Sequence, residues 1–220
     1  MDASAERLGI GTSSPTGSLH LYDTNTAFRI QDSNGGNMQF GQWDNTTNRI
    51  EASGGNRDLF IVNYGSGAMR FGTNGSEKMR IDSSGIVTTP NQPAFDVSMT
   101  AGGTQTGIMV HDVTYLDNGN NHNTTNGHFT APVTGVYYFY TTYINSVASA
   151  PTGRRYFQKN GVRIYGNRHL RLDGGGGYGD NGIIAITVSL IAGDYLRIEQ
   201  GAGASYGTKE YEVFGGHLIG

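Results

Sequence analysis

The stretch Ile184-Ala185-Ile186-Thr187-Val188-Ser189-Leu190 decides how this chain folds. Large apolar residues at every second position all point to one side of an extended strand, because successive side chains in a strand alternate between faces. The other side carries only Ala185, Thr187 and Ser189, small enough to let a neighbour approach closely. Leu196 and Ile198 repeat the pattern after a Gly193-Asp194 turn. No window of the chain keeps apolar residues at i, i+3, i+4 and i+7 over two helical turns. Short alternating runs bounded by glycine and asparagine recur instead, which is a strand-and-turn signature. The sequence therefore predicts an all-β protein.

Composition narrows the class. Of 220 residues, 35 are glycine, 5 are proline and none is cysteine, and the formal net charge is −3. Glycine stands at roughly twice its usual share of about 7%, yet no stretch holds it at every third position, so collagen is excluded. The small net charge and 13 tyrosines argue against a disordered chain. Scattered lysines and arginines, outnumbered by carboxylates, call for no nucleic-acid partner. Without cysteine there is no disulfide framework, thiolate nucleophile or Cys-ligated metal. The longest apolar runs, Val136 to Tyr140 and Ile183 to Ile186, are far shorter than the roughly 20 residues of a membrane helix, and no membrane insertion is expected.

A break in composition falls near Pro90. Eleven of the thirteen tyrosines follow it, and the preceding segment is dense in Gly, Asn, Ser and Thr. The expected organisation is a β-rich segment over 1–89, a linker over 90–92 where Pro90 and Pro93 interrupt any ladder, and a second domain over 93–220. The first segment repeats weakly: Phe28-Arg29-Ile30, Arg49-Ile50-Glu51, Met69-Arg70-Phe71 and Met79-Arg80-Ile81 are separated by turn pairs such as Asn34-Gly35, Gly54-Gly55 and Asn74-Gly75. Each such strand buries one narrow apolar face at most. Three chains wound together would share an interior that one chain cannot enclose, whereas a small monomeric sandwich of short strands is the alternative.

Two phrases in this segment, Leu8-Gly9-Ile10-Gly11-Thr12-Ser13-Ser14-Pro15 and Gly75-Ser76-Glu77-Lys78-Met79-Arg80-Ile81-Asp82-Ser83-Ser84-Gly85, resemble shaft segments of trimeric bacteriophage fibres. In the second domain, Gly127-His128-Phe129-Thr130-Ala131-Pro132-Val133-Thr134-Gly135-Val136-Tyr137-Tyr138-Phe139 is similar to the signature of the complement-type globular head, which shares its jelly roll with tumour necrosis factor. Pro93 to Val97, Val113 to Asn120, the Lys159-Asn160-Gly161 turn, the Gly193-Asp194 turn and Phe214 to Ile219 follow in the order that family requires. This resemblance implies a jelly-roll knob associating around a threefold axis. A collagen stalk and cysteines are missing, so immune functions do not carry over.

Candidate site residues fall into three groups. Phe129, Tyr137, Tyr138, Phe139, Tyr140 and Tyr143 are expected to divide between the core and a trimer interface, with the parity left open. Arg154, Arg155, Arg163, Tyr165, Arg168, His169, Arg171 and Tyr178, grouped around a glycine-rich loop, supply the forks and rings that bind sugars and phosphates; solvated charges or intersubunit ion pairs are the plainer reading. The family's heads often carry calcium, and Asp117, Asn118 and Asn120 offer oxygen ligands for it. With one carboxylate in the loop, a hairpin turn is the simpler assignment, and no other cofactor is expected.

No catalytic constellation emerges. The six histidines show no HxxxH or HExxH spacing, and Asp173 and Asp180 flank a glycine run ill suited to hold a carboxylate pair. The expectation is a non-enzymatic homotrimeric phage fibre on the virion surface. It would attach to other virion proteins through a short N-terminal segment and contact a host-surface glycan or protein through its knob. A head fibre or capsid decoration with a structural role and no specific receptor is the alternative.

Overall fold

A computed structural model describes residues 8–14, 19–21, 27–31, 37–42, 48–53, 58–100, 104–144, 152–164, 169–173, 181–206 and 211–220, at some strand positions by backbone path alone. The chain divides into two compact units, residues 1–69 and 70–220. All regular structure among the described residues is β.

In the first unit, β1 (Leu8–Ile10) and β2 (Leu19–Leu21) pair in parallel, and β3 (Ala27–Gln31), β4 (Asn37–Gln42) and β5 (Asn48–Ser53) form an antiparallel meander. The repeats read from sequence land on β3 and β5, while β4 had no recognised pattern. Leu59, Phe60, Ile61 and Val62 run consecutively without strand pairing, and Phe60 is 77% exposed.

The second unit opens with a small sheet of β6 (Met69–Thr73), β7 (Ser76–Ile81) and β8 (Val87–Thr88). Asn74 and Gly75, both at positive φ (51° and 69°), make the turn between β6 and β7 that the Asn-Gly pair demands. Two larger sheets follow. One has five strands in the order β11 (Val113–Asn118), β9 (Ala94–Ser98), β20 (Val213–Leu218), β14 (Gly135–Ile144), β18 (Asn181–Leu190), all antiparallel. The other has seven strands: β12 (His122–Asn123), β13 (His128–Thr130), β19 (Tyr195–Tyr206), β15 (Thr152–Lys159) and β16 (Val162–Arg163) lie side by side, with β10 (Thr104–Ile108) on β19 and β17 (His169–Asp173) on β15.

The inward residues of these two sheets form one core. Ile184, Ile186 and Leu190 of β18 lie in it, as the alternation requires, with Leu196 and Ile198 of β19 opposite. Its centre is aromatic. Phe95 stacks on Phe129 at 4.6 Å and meets Phe214 edge-on at 4.8 Å, and Phe129 meets Phe139 at 5.3 Å in a T. Burying each such ring contributes about 2–3 kcal/mol, and the offset and edge geometries add to it. Tyr137 is buried too, its hydroxyl donating to the Val133 carbonyl oxygen at 2.7 Å, so its polar tip is satisfied. Burial raises the pKa of that phenol above its ordinary value.

The turns are locked chemically. Asp194 accepts hydrogen bonds from Lys159 Nζ (2.8 Å), Asn160 Nδ2 (2.7 Å) and the Ile191 amide (3.0 Å), which hold its carboxyl at about 2. Asn160 and Gly161 adopt positive φ (51° and 81°), and Gly193 does so at 91°. The Lys-Asn-Gly and Gly-Asp turns read from sequence are thus tied to each other side by side.

Candidate functional site

The alternation along β14 assigns the tyrosines. Tyr137 and Phe139 enter the core, and Tyr138 and Tyr140 stand on the opposite, outward face of the five-stranded sheet. Two adjacent glycines of β20 make room for both faces: a Cβ on Gly216 would lie 2.5 Å from Phe139 Cδ1, and one on Gly215 would lie 2.5 Å from the Tyr140 ring. Tyr140 therefore lies flat across Gly215 and donates its hydroxyl to Asp96 Oδ2 at 3.2 Å. Burial, followed by the Asp96 carboxylate, pushes that phenol up to about 12. Tyr138 packs against Tyr140 and His217, with ring centroids 6.3 and 5.6 Å away. Ala185 and Thr187 of β18 sit opposite Tyr140 and Tyr138, and Ile183, at the end of this row, is 65% exposed. The result is a flat face of half-buried aromatics flanked by small residues. Phe129 belongs to the core, and the Tyr143 side chain lies outside the described residues.

The arginine group expected at the surface divides. Arg154 is exposed. Arg155 is not a surface residue: it is 0% exposed, forms a bidentate pair with Glu212 (2.5 and 2.8 Å), and donates to the Thr142 carbonyl at 2.5 Å. The parity of β15 turns it inward, so it is a structural ion pair rather than a receptor contact. Arg163 stacks on Tyr156, its guanidinium carbon 4.4 Å from the ring centroid, and forks onto Glu199 at 2.6 and 2.7 Å. Tyr165, Arg168 and Tyr178 lie outside the described residues, as do the side chains of His169 and Arg171; the β15–β17 register places Arg171 opposite Arg154 and His169 opposite Tyr156. The carboxylates of Asp173 and Asp180 also lie outside them.

The outward face of the seven-stranded sheet carries residues that sequence reasoning passed over. Tyr195, Arg197 and Glu199 alternate with the core residues Leu196 and Ile198, a signal present in the same period of two. His128 stacks on Tyr195 at 3.9 Å with rings parallel to within 3°. Arg197 donates from Nε to Gln158 Oε1 at 2.7 Å and from Nη1 to His128 Nε2 at 3.2 Å. Burial and the neighbouring Arg197 charge lower the His128 pKa, which keeps its ring neutral and able to accept. Gln158 donates to Glu199 at 2.5 Å, so one hydrogen-bonded row crosses the sheet from His128 to Arg163.

The loop proposed for calcium is built as a turn. Asp117 Oδ1 accepts the Asn121 amide at 2.9 Å and Oδ2 the His122 amide at 3.0 Å. Asn118 donates to the Pro90 and Gln92 carbonyls at 2.8 and 2.7 Å, and Asn120 takes φ 55° at the turn. The single carboxylate is thus occupied by backbone donors. Among the described residues, no three His, Asp or Glu side chains converge on a point that could hold a metal ion.

Residues 94–219 match the C1q domain model. Solved structures similar to the chain include the globular domain of zebrafish complement 1qA, at 22% identity over 59% of this chain and 98% of that one with a TM-score of 0.43. Eiger TNF from S. frugiperda is 19% identical over 59% and 94% with a TM-score of 0.43, and murine APRIL 11% identical over 58% and 99% with a TM-score of 0.47. No curated protein sequence matches the chain. With more than half its length matched, the chain belongs to the C1q domain family.

Proposed function

We propose that this member of the C1q domain family is a non-catalytic, homotrimeric bacteriophage fibre protein, displayed on the virion, whose head binds a host-surface glycan. The observation that carries the trimer is the outward face of the five-stranded sheet, where Tyr140 lies over Gly215 and Tyr138 packs on His217, beside Ala185 and Thr187. A face of that kind, flat and half-apolar, gains from being covered: a specific interface buries roughly 800 Å² per partner, and tyrosine rings contribute disproportionately to such contacts. The consecutive exposed Leu59, Phe60, Ile61 and Val62 in the first unit give a second reason for neighbouring chains, since contiguous apolar surface of this sort is uncommon on monomers.

The phage setting is supported by the two shaft-like phrases at Leu8 to Pro15 and Gly75 to Gly85. Three identical heads on one particle would multiply a modest affinity through avidity. The test pairs light scattering with staining of intact host cells by fluorescent full-length protein. The reading expects a mass close to three times 23.6 kDa and saturable, host-specific staining. A monomer removes the assembly, and a trimer that stains no host cell removes the receptor role.

A further inference from the structure

The row across the outward face of the seven-stranded sheet contains two arginines and one carboxylate. Glu199 is committed to Arg163 through a two-point fork and to Gln158. Arg197 holds only neutral partners at hydrogen-bond distance, Gln158 and His128, and no carboxylate lies within salt-bridge distance of it among the described residues. Its guanidinium is nevertheless fixed in place, with Nε and Nη1 both engaged and the carbon 5.7 Å from the centre of the Tyr195 ring. Nη2 makes no hydrogen bond among the described residues.

That nitrogen converges with a second donor. A Cβ built on Gly161 would stand 3.3 Å from the Tyr195 hydroxyl and 3.9 Å from Arg197 Nη2, so the missing side chain leaves a notch that both groups line. The walls are rigid. Asn160 Oδ1 accepts the Tyr195 amide at 2.9 Å, Asn160 Nδ2 donates to Asp194, and Gly161 sits at a positive φ of 81° that a side chain would strain. His128 stacks on Tyr195 and fixes the tyrosine ring. A prearranged guanidinium edge beside a phenol hydroxyl matches an oxyanion, which takes charge-assisted hydrogen bonds from both. The aromatic neighbours suit a ligand with a ring attached.

We propose that the notch formed by Arg197, Tyr195 and Gly161 binds the carboxylate or phosphate group of an acidic sugar. The inference rests on the glycan-binding reading above and moves its site from the glycine-rich loop to the face of the sheet. The test is saturation-transfer NMR on the full-length protein with glucose, glucuronate and glucose 6-phosphate. Glucuronate and glucose 6-phosphate should both receive saturation and glucose should not, and the stronger of the two acids identifies the anion. Arg197→Gln should weaken acid binding at least tenfold in a protein that stays folded, Arg197→Lys should recover part of it, and Arg154→Gln, on an exposed arginine away from the notch, should leave it unchanged. Equal transfer to glucose, unaltered binding by Arg197→Gln, or no binding of either acid overturns the proposal. Host-cell staining separates the two readings: staining that persists in Arg197→Gln sinks this site alone, whereas acid-sugar binding without staining sinks the receptor role alone.

Discussion

Acid should unfold the head from within. His111 is fully buried and His122 nearly so, both packed near Phe214 with ring centroids 5.5 and 6.1 Å from it, and none of their four ring nitrogens has a hydrogen-bond partner among the described residues. Burial, then the charges of Arg155 and His122, holds His111 well below the ordinary value of 6.5. Burial brings His122 down to about 4, against the pull of Asp117 and with the push of His128. Both rings are therefore neutral in the fold, while the unfolded chain protonates them near 6.5. Between those values the unfolded state binds more protons, so this contribution to stability is intact above 6.5 and is lost as pH falls. At pH 4.5 His122 is about two pH units below its unfolded pKa, which at about 1.4 kcal/mol per unit is a loss of about 2–3 kcal/mol, and His111 adds a loss of the same sign. That is a large share of whole-domain stability, which runs to about 5–15 kcal/mol. Urea unfolding followed by near-ultraviolet dichroism, at fixed chain concentration from pH 7.5 to 4.5, measures it. Phenylalanine keeps the ring and removes the nitrogens, so the double variant His111→Phe/His122→Phe should lose less stability than the parent over this interval, by at least the roughly 2–3 kcal/mol that His122 contributes. Titratable groups other than Asp117 and His128, which act on the His122 ring, are common to both chains and cancel in the difference. Equal pH slopes for the two would refute the argument.

Three further outcomes test the packing. Phe139→Ala removes a fully buried ring that touches Phe95, Phe129 and Tyr137 and should cost about 3–5 kcal/mol in denaturant unfolding; a loss under about 1 kcal/mol would contradict its inward assignment. Glu212→Ala leaves the Arg155 guanidinium buried without its carboxylate and should cost about 3–5 kcal/mol, whereas replacing both residues by apolar ones of similar volume should recover most of that. Gly215→Ala drives a methyl against the Tyr140 ring and should destabilise by about 1–3 kcal/mol. A double-mutant cycle with Tyr140→Ala should show that most of this loss disappears once the ring is gone, and strict additivity would count against the contact.

How far the sequence carried depended on whether a feature was local or made across strands. The alternation over Ile184 to Leu190 assigned β18 and its inward face, and the Asn-Gly, Lys-Asn-Gly and Gly-Asp turns marked hairpins because positive φ needs those residues. Parity on β14 could not be read, because Tyr137 to Tyr140 are aromatic at every position. The two glycines of β20, which seat Phe139 on one face and Tyr140 on the other, settle it only once the register is known. Arg155 was misplaced for a related reason. Its partner Glu212 lies 57 positions away, so nothing near it in the chain signals that its charge is compensated inside the fold. The row from His128 to Arg163 likewise draws on four strands, β13, β19, β15 and β16, that are adjacent only in the sheet.

The proposed meeting of three copies through the Tyr138 and Tyr140 face is directly measurable, because the chain has no cysteine. A single nitroxide attached at Ser189→Cys, on the outward face of β18, reports distances between chains by dipolar spectroscopy. Association through this face should give one narrow interchain distance, shorter than that given by the same label at Thr130→Cys on the opposite sheet. No interchain coupling, or a shorter distance from Thr130, would contradict it.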